Sequence, residues 1–377
     1  MTIAFDVSYI QTRRAGLGRY ATELLRALLA TDTENLYKLH GWSYSIDRDW
    51  VANLPQRNVQ TYVTKIPGFV KRFYWNRLRL PPIETFIGRF DLFQSIDPFL
   101  PPTRNKKTVA TIHDLSYRKY PELFEPNVLR WDRYVLRSIR RASAIIAPSD
   151  QTKNDITELF RVPQEKITLV RPPVSQIFSP EPNRSVDEAV MQKHQLGKPF
   201  ILFVGTIEPR KNVDSLIKAF EILRLERQSD VQLLIVGRRG WLYDKTFEAM
   251  RTSTVRDEIH YTDFVPDSEL ASLYRLSQFV VYPSFYEGHG SPVVEAMASG
   301  KAVITSRTSA LKEVGEGAAM LIDPGSPEEL AGAMKTLLEN PERRAELSKA
   351  GLMRAKLFSH SVAAKDLLRL YNSLCSM

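Results

Sequence analysis

Cysteine is almost missing from this sequence: Cys375 stands alone among 377 residues. An internal disulfide is excluded, and with no His/Cys cluster near it Cys375 does not point to a zinc site. Long apolar runs are missing as well. No segment approaches the roughly 18 consecutive apolar residues that a membrane span requires. Asp6 interrupts the short apolar run at the start, so residues 1–9 do not read as a signal peptide. The expectation from these absences is a cytoplasmic protein of ordinary globular composition, 43% hydrophobic and 25% charged. Acid is in short supply too, with 43 Asp and Glu against 52 Lys and Arg, a formal net charge of +9.

Such a surplus suits nucleic acid, an anionic membrane surface or a polyphosphate substrate. Two stretches concentrate it. Residues 65–79 carry five basic side chains and no acid, interleaved with Phe69, Phe73, Tyr74 and Trp75. Residues 126–141 set Arg130, Arg133, Arg137, Arg140 and Arg141 against Asp132. Basic residues beside aromatics fit a surface that rests on anionic headgroups, which predicts peripheral attachment at the inner face of a membrane. A solvated helix face with its aromatics turned inward is the plainer alternative. None of the usual nucleic-acid modules appears, and nucleic acid is not an expected partner.

Short apolar runs alternate with helical patterns almost throughout, the mark of parallel sheets covered by helices. Strands are predicted at 2–6, 36–40, 59–63, 108–112, 144–147 and 167–170, with a helix at 19–29 and another at 150–160 capped by Ser149. Residues 171–198 then bring Pro172, Pro173, Pro180 and Pro182 with little strand pattern, and read as an extended linker. A second series follows, with strands at 200–204, 232–236, 259–262, 279–282 and 302–304. Ser326-Pro327-Glu328-Glu329 reads as a capping box, and a last helical pattern covers 361–374. The predicted organisation is an N-terminal domain over 1–171, a linker over 172–198, a C-terminal domain over 199–358, and a final helix over 359–377 that could pack back on either domain, the N-terminal one foremost. Two doubly wound α/β domains facing across a cleft would put ligands beyond the carboxyl ends of their strands.

The most specific segment runs from Ser284 to Ala298, after a predicted strand and into a helix. Ser291 is the predicted N-cap, Pro292 the first helical residue, and Gly300 the stop. Gly288 and Gly290 let a ligand approach the backbone beside a helix N-terminus, a natural seat for a diphosphate. Glu287 and Glu295 bracket that seat, and carboxylates accept hydrogen bonds from sugar hydroxyls. A helix start whose acids merely complement the macrodipole would account for Glu287 but not for the paired glycines.

This segment resembles the E-x7-E signature of the family-4 retaining glycosyltransferases, and the resemblance, closest to mannosyltransferases of bacterial surface-polysaccharide assembly, extends over nearly the whole chain. It implies the GT-B fold of two Rossmann-like domains. It further implies that Glu287 contacts hydroxyls of the transferred sugar and Glu295 the nucleotide ribose. His289 and Ser291 depart from the large apolar residues common at those places and fall on the lining of the sugar pocket.

Gly205-Thr206-Ile207-Glu208-Pro209-Arg210-Lys211-Asn212 follows the strand 200–204. Its adjacent cations could neutralise a departing pyrophosphate, the role that the resemblance gives to Arg210 and Lys211; the plainer reading is a solvated loop with Asn212 as a helix cap. Thr111-Ile112-His113-Asp114 ends a strand of the first domain, and the resemblance places His113 near the sugar's outer hydroxyls. Gly16-Leu17-Gly18-Arg19 precedes the first helix, where the resemblance has a glycine-rich loop facing the donor phosphates.

Taken alone, Gly16-x-Gly18-x-x-Ala21 also fits a dinucleotide fingerprint, which keeps an NAD(P)-dependent oxidoreductase as one alternative. The long loop at 7–15 and the lack of an acid at the end of the second strand argue against it. A non-catalytic polyanion-binding protein is the other. Asp47-Arg48-Asp49 spells a D-x-D but lies far from any nucleotide seat, and reads as solvated charge. The expected reaction is metal- and cofactor-independent retaining transfer of a hexose, foremost mannose from GDP-mannose, to a lipid-linked or oligosaccharide hydroxyl.

Overall fold

The apolar runs become buried parallel strands. In Phe200–Val204 and Gln232–Val236 every residue is buried, as expected of strands covered on both faces. The computed structural model describes residues 1–10, 16–42, 57–64, 74–126, 128, 132–226 and 230–376. Residues 47–49 and most of the basic stretch 65–79 lie outside them.

The chain folds into two units. The first comprises Met1–Leu115, Arg130–Pro173 and Ser359–Met377, the second Ser116–Leu129 and Val174–Phe358.

The first unit holds strands β1 (Thr2–Asp6), β2 (Leu36–Trp42), β3 (Val59–Thr64), β4 (Leu92–Gln94), β5 (Thr108–Thr111), β6 (Ala144–Ala147) and β7 (Ile167–Leu169). They form one parallel sheet in the order β3-β2-β1-β4-β5-β6-β7. The helix Leu17–Thr31 packs on the helix His360–Ser376, whose Ala363, Leu367, Leu370 and Tyr371 join Leu24, Leu25 and Leu28 in one core. His360 Nε2 meets Glu23 Oε2 at 2.8 Å. The predicted cap of the helix Asp150–Phe160 is present, with Ser149 accepting from Thr152 N.

The second unit holds β8 (Phe200–Val204), β9 (Gln232–Val236), β10 (Ile259–Thr262), β11 (Val280–Tyr282), β12 (Val303–Ser306) and β13 (Met320–Ile322), again parallel, in the order β10-β9-β8-β11-β12-β13. Residues 116–129 pack with it. Phe124 stacks on Trp241 at 5.4 Å between ring centres, and Trp241 Nε1 donates to Leu123 O at 2.9 Å. Each sheet reverses its winding once, between β1 and β4 and between β8 and β11, and such reversals open the crevices in which α/β proteins bind ligands.

Three local expectations need correction. The stretch 172–198 contains the helix Arg184–Lys193, opened by the Asn183 side chain and tied by the Arg275–Asp187 ion pair to the helix Asp267–Leu276. Prolines flank this helix without entering it. In the segment after β11, Gly290 at φ +91° is the N-cap, Ser291 and Pro292 being the first two helical residues of Ser291–Ala298. Gly300 at φ +70° does end the helix: Gly300 N bonds Met297 O and Lys301 N bonds Ala296 O, a Schellman pattern. Finally, half of the capping box at Ser326 forms. Ser326 Oγ accepts from Glu329 N, but the Glu329 carboxylate turns to Asp323 N and Arg307.

Candidate active site

Two loops meet at the reversal point of the second sheet. The loop after β8 begins with Gly205, where a Cβ would come 3.3 Å from the Phe203 ring and 3.5 Å from the Tyr282 ring. Its neighbour Gly237, at the end of β9, has φ +151°, and a Cβ there would lie 1.9 Å from Gly205 O. The chain then makes a single 3-10 turn, Pro209–Lys211, and stops it at Asn212 in the left-handed region, φ 58° and ψ 37°. Asn212 stands at the start of the helix Val213–Glu226, where its O accepts from Leu216 N at 3.4 Å, but it is buried and not solvated. Its Nδ2 donates to Pro283 O at 3.1 Å and Pro324 O at 2.6 Å, while Arg210 O accepts from Phe285 N at 2.9 Å. The loops after β8 and β11 are thereby pinned together.

Pinning brings four charged side chains into one buried cluster. Arg210 Nη1 lies 2.8 Å from Glu287 Oε2 and donates to Tyr286 O at 2.7 Å, and Nη2 reaches Glu208 Oε1 at 2.5 Å. Lys211 Nζ reaches Glu287 Oε1 at 2.5 Å and Tyr282 Oη at 2.6 Å. All four are under 10% exposed. Burial alone would raise the Glu287 carboxyl, but the charges of Arg210 and Lys211 outweigh it and hold the group at about 2. Glu208 moves the other way, raised by burial against the pull of the same two cations. The Lys211 ammonium is lowered, first by burial and then by Arg210, with Glu287 and Glu208 opposing. At neutral pH Glu287 is a carboxylate, able to accept hydrogen bonds and unable to donate a proton.

This asymmetry sets a pH dependence. A carboxyl depressed from 4.5 to about 2 stabilises the fold fully above about 4.5 and loses that contribution as pH falls through the window to 2. In acid titrations followed by circular dichroism, Glu287→Gln is therefore expected to flatten the loss of stability between pH 4.5 and 2. An unchanged acid limb in the variant would show that Glu287 is not held low.

The other predicted residues lie as follows. Glu295, 2% exposed, accepts from Tyr274 Oη at 3.0 Å, one turn into the helix Ser291–Ala298. His289 is buried with its ring 5.3 Å from that of Phe358, and Gly288 lies beside it in the loop. Gly290 must remain glycine, since a Cβ would meet Leu311 Cδ2 at 2.6 Å in addition to the positive φ. Glu287 N donates to Ser309 Oγ at 3.0 Å.

Three predicted residues belong to the first unit. Gly16, φ 39°, caps the helix that contains Gly18. His113 follows β5, where its Nε2 sits 2.6 Å from Ile96 O and its ring meets Tyr20 edge-on at 4.8 Å. Burial lowers its pKa, against the opposing pull of that carbonyl. The ring is then neutral with its proton on Nε2, leaving Nδ1 as an acceptor.

Sequence reasoning passed over Tyr282, Glu208, Tyr274 and Gly237. Glu208 stands in the motif after β8, but the Arg210 that holds it is shared with Glu287, about eighty residues away. Tyr282 offered no signal beyond ending a strand.

Comparisons with known proteins give the family and the fold. Residues 187–354 match the family Glycosyl transferases group 1, and residues 14–176 match Glycosyltransferase Family 4. Over 385 aligned positions, 99% of this chain and 100% of the relative, the sequence is 30% identical to O-antigen chain mannosyltransferase B of Escherichia coli. Sucrose-phosphate synthase of Thermosynechococcus elongatus shares the fold with a TM-score of 0.77 at 20% identity, over 100% of this chain and 99% of that one. HepE of Anabaena, solved in complex with UDP and glucose, does so with a TM-score of 0.75 at 17% identity, over 98% and 99%. The chain belongs to the group 1 glycosyltransferases, with a family 4 module in its N-terminal half and the two Rossmann-like domains of the GT-B fold.

Proposed function

We propose that this glycosyltransferase moves a mannosyl residue from GDP-mannose, with retention and without a metal ion, to a hydroxyl of a lipid-linked or oligosaccharide acceptor. The carrying observation is the buried pair Arg210 and Lys211 at the reversal point of the second sheet, held by Glu287. Buried cations on short loops act in a poorly screened environment and need no reorganisation when charge grows on a leaving diphosphate. Mannose as the sugar is supported by the full-length likeness to an O-antigen chain mannosyltransferase.

In this reading the bond between the sugar's anomeric carbon and the β-phosphate oxygen breaks as the acceptor oxygen attacks from the same face. The leaving phosphate takes the acceptor proton. Arg210 and Lys211 stabilise the diphosphate, together with amides around Gly288 and Gly290. Glu287 accepts from sugar hydroxyls with the lone pairs its cations leave over. Glu295 accepts from the ribose, positioned by Tyr274. To His113 we give a hydrogen bond from a substrate hydroxyl to Nδ1, since Nε2 is committed to the Ile96 carbonyl.

The test is calorimetric titration with GDP, UDP, ADP, dTDP and NAD without added metal. GDP should bind selectively, and Glu295→Ala should weaken it about 10–100-fold, the value of one charged hydrogen bond. In turnover the same variant should raise the donor KM with little change in kcat, because a ribose contact acts equally in ground and transition states. Preference for UDP would overturn the donor, and binding of NAD alone the whole reading. Inversion at the anomeric carbon of the product, read by NMR, would overturn retention.

A further inference from the structure

The two basic stretches that stand out in the sequence meet in the first unit. Trp75 and Arg79 come from one, Tyr134, Arg137 and Arg141 from the other, and with Phe99 they line a shallow, solvent-open hollow. The helix Asp132–Arg141 supplies Tyr134, Arg137 and Arg141 at i, i+3 and i+7, along one face. Trp75 is buried and lies parallel to Phe99, ring centres 5.9 Å apart and planes 12° apart. Phe99 meets Tyr134 edge-on at 6.4 Å. One wall is thus aromatic.

The other wall is cationic. Arg141 is fixed by Nη1 to Leu100 O at 2.9 Å and by Nη2 to Pro101 O at 2.5 Å, while Arg79 and Arg137 stand exposed beside it. Among the described residues that line the hollow there is no carboxylate. Burial lowers the Arg141 pKa, and the charges of Arg79 and Arg137 lower it further. Three guanidiniums that repel one another and have no acid among them gain when an anion arrives, and guanidinium geometry matches phosphate oxygens in pairs. An adjoining aromatic wall is wasted on inorganic phosphate or a free sugar phosphate. It suits an anion attached to an apolar chain.

We propose that this hollow binds the phosphate end of a lipid-linked acceptor, a phosphate or diphosphate ester on an apolar chain. Arg79 and Arg137 take the phosphate oxygens, and the Trp75, Phe99 and Tyr134 rings take the first apolar segment. The assignment rests on the proposed lipid-linked acceptor and names the part of the acceptor recognised. The phosphate the hollow takes is that of an individual acceptor molecule, not that of a bilayer headgroup.

The experiment titrates farnesyl diphosphate into the full chain and into its Arg79→Gln/Arg137→Gln variant, with GDP saturating so that the nucleotide seat is occupied. Inorganic pyrophosphate and phosphatidylglycerol vesicles serve as the other probes, and GDP affinity is measured separately on both proteins. The parent should bind farnesyl diphosphate at least about 10-fold tighter than pyrophosphate. The double variant should lose at least about 10-fold, the value of one charged hydrogen bond, with GDP affinity unchanged. Equal binding by parent and variant, or no preference over pyrophosphate, overturns the proposal. So does a loss confined to the vesicles, which would make the hollow part of a headgroup surface. Should the double variant fail to fold, the exposed Arg137→Gln alone carries the test: weakened farnesyl diphosphate binding supports the site, and unchanged binding overturns it. GDP that binds neither protein while farnesyl diphosphate behaves as expected would remove the donor assignment and leave this site standing.

Discussion

Lys211→Ala is expected to lower kcat by about 10²–10³-fold, the usual cost of removing one preorganised electrostatic contact to a developing negative charge. The ammonium sits 2.5 Å from Glu287 Oε1 and 2.6 Å from Tyr282 Oη, so its position is fixed before substrate arrives. Charge on the leaving diphosphate grows towards the transition state, and kcat should therefore suffer more than donor KM. Glu287 keeps Arg210 as a partner at 2.8 Å in this variant, which spares it from becoming an uncompensated buried carboxylate. Steady-state kinetics with the melting curve as a control for folding provide the measurement. A kcat equal to that of the parent would sink the leaving-group assignment.

The largest stability effect is expected at Gly237. A Cβ on this residue would stand 1.9 Å from Gly205 O and 2.6 Å from Gly205 C, atoms of the backbone that no side-chain rotation can clear. Its φ of +151° is hostile to any other residue in addition. Gly237→Ala must push β9 away from the loop that carries Arg210 and Lys211, and should cost more than about 3 kcal/mol, in the range of severe steric and backbone mutations. Donor affinity should fall with it. Gly332→Ala, in the middle of the helix Pro327–Glu339 with nothing within 4 Å of the added Cβ, should instead stabilise by about 0.5–1 kcal/mol. Denaturant melts of the two variants provide the comparison. Similar midpoints would show that the β8–β9 contact is not tight.

Much of this architecture could be read from residues alone, wherever local pattern and tertiary burial coincide. Strands Thr2–Asp6, Ala144–Ala147, Phe200–Val204, Gln232–Val236 and Ile259–Thr262 are continuous apolar or alternating runs and occur where expected. Leu92–Gln94 and Met320–Ile322 escape such a reading because three residues carry no period, and Gln94 disguises its strand further. That side chain is fully buried, donating to Ser95 O and Thr111 Oγ1. The helix Arg184–Lys193 is hidden by neighbouring prolines and is held by contacts to a helix some eighty residues on.

The site divides along the same line. Arg210, Lys211 and Glu287 stand in motifs whose chemistry is legible one segment at a time. That the segments meet depends on β8 lying beside β11, a matter of strand order that no local stretch records. Glu208 and Tyr282 complete the cluster only once that order is known.

The helix His360–Ser376 has a consequence for how the protein is made. At roughly 5–20 residues per second of synthesis, the residues up to 173 leave the ribosome about 10–40 s before this helix does. During that interval the first sheet lacks Ala363, Leu367, Leu370 and Tyr371, and the helix Leu17–Thr31 has no partner on that face. The second unit is in the opposite position, because its outlying piece, Ser116–Leu129, is already made when Val174–Phe358 emerges. The half translated later can close first, and the half translated earlier stays open and adhesive until the final helix of the fold arrives. Slow translation near residue 359 would lengthen that exposure, and the nascent first unit is where a chaperone would bind.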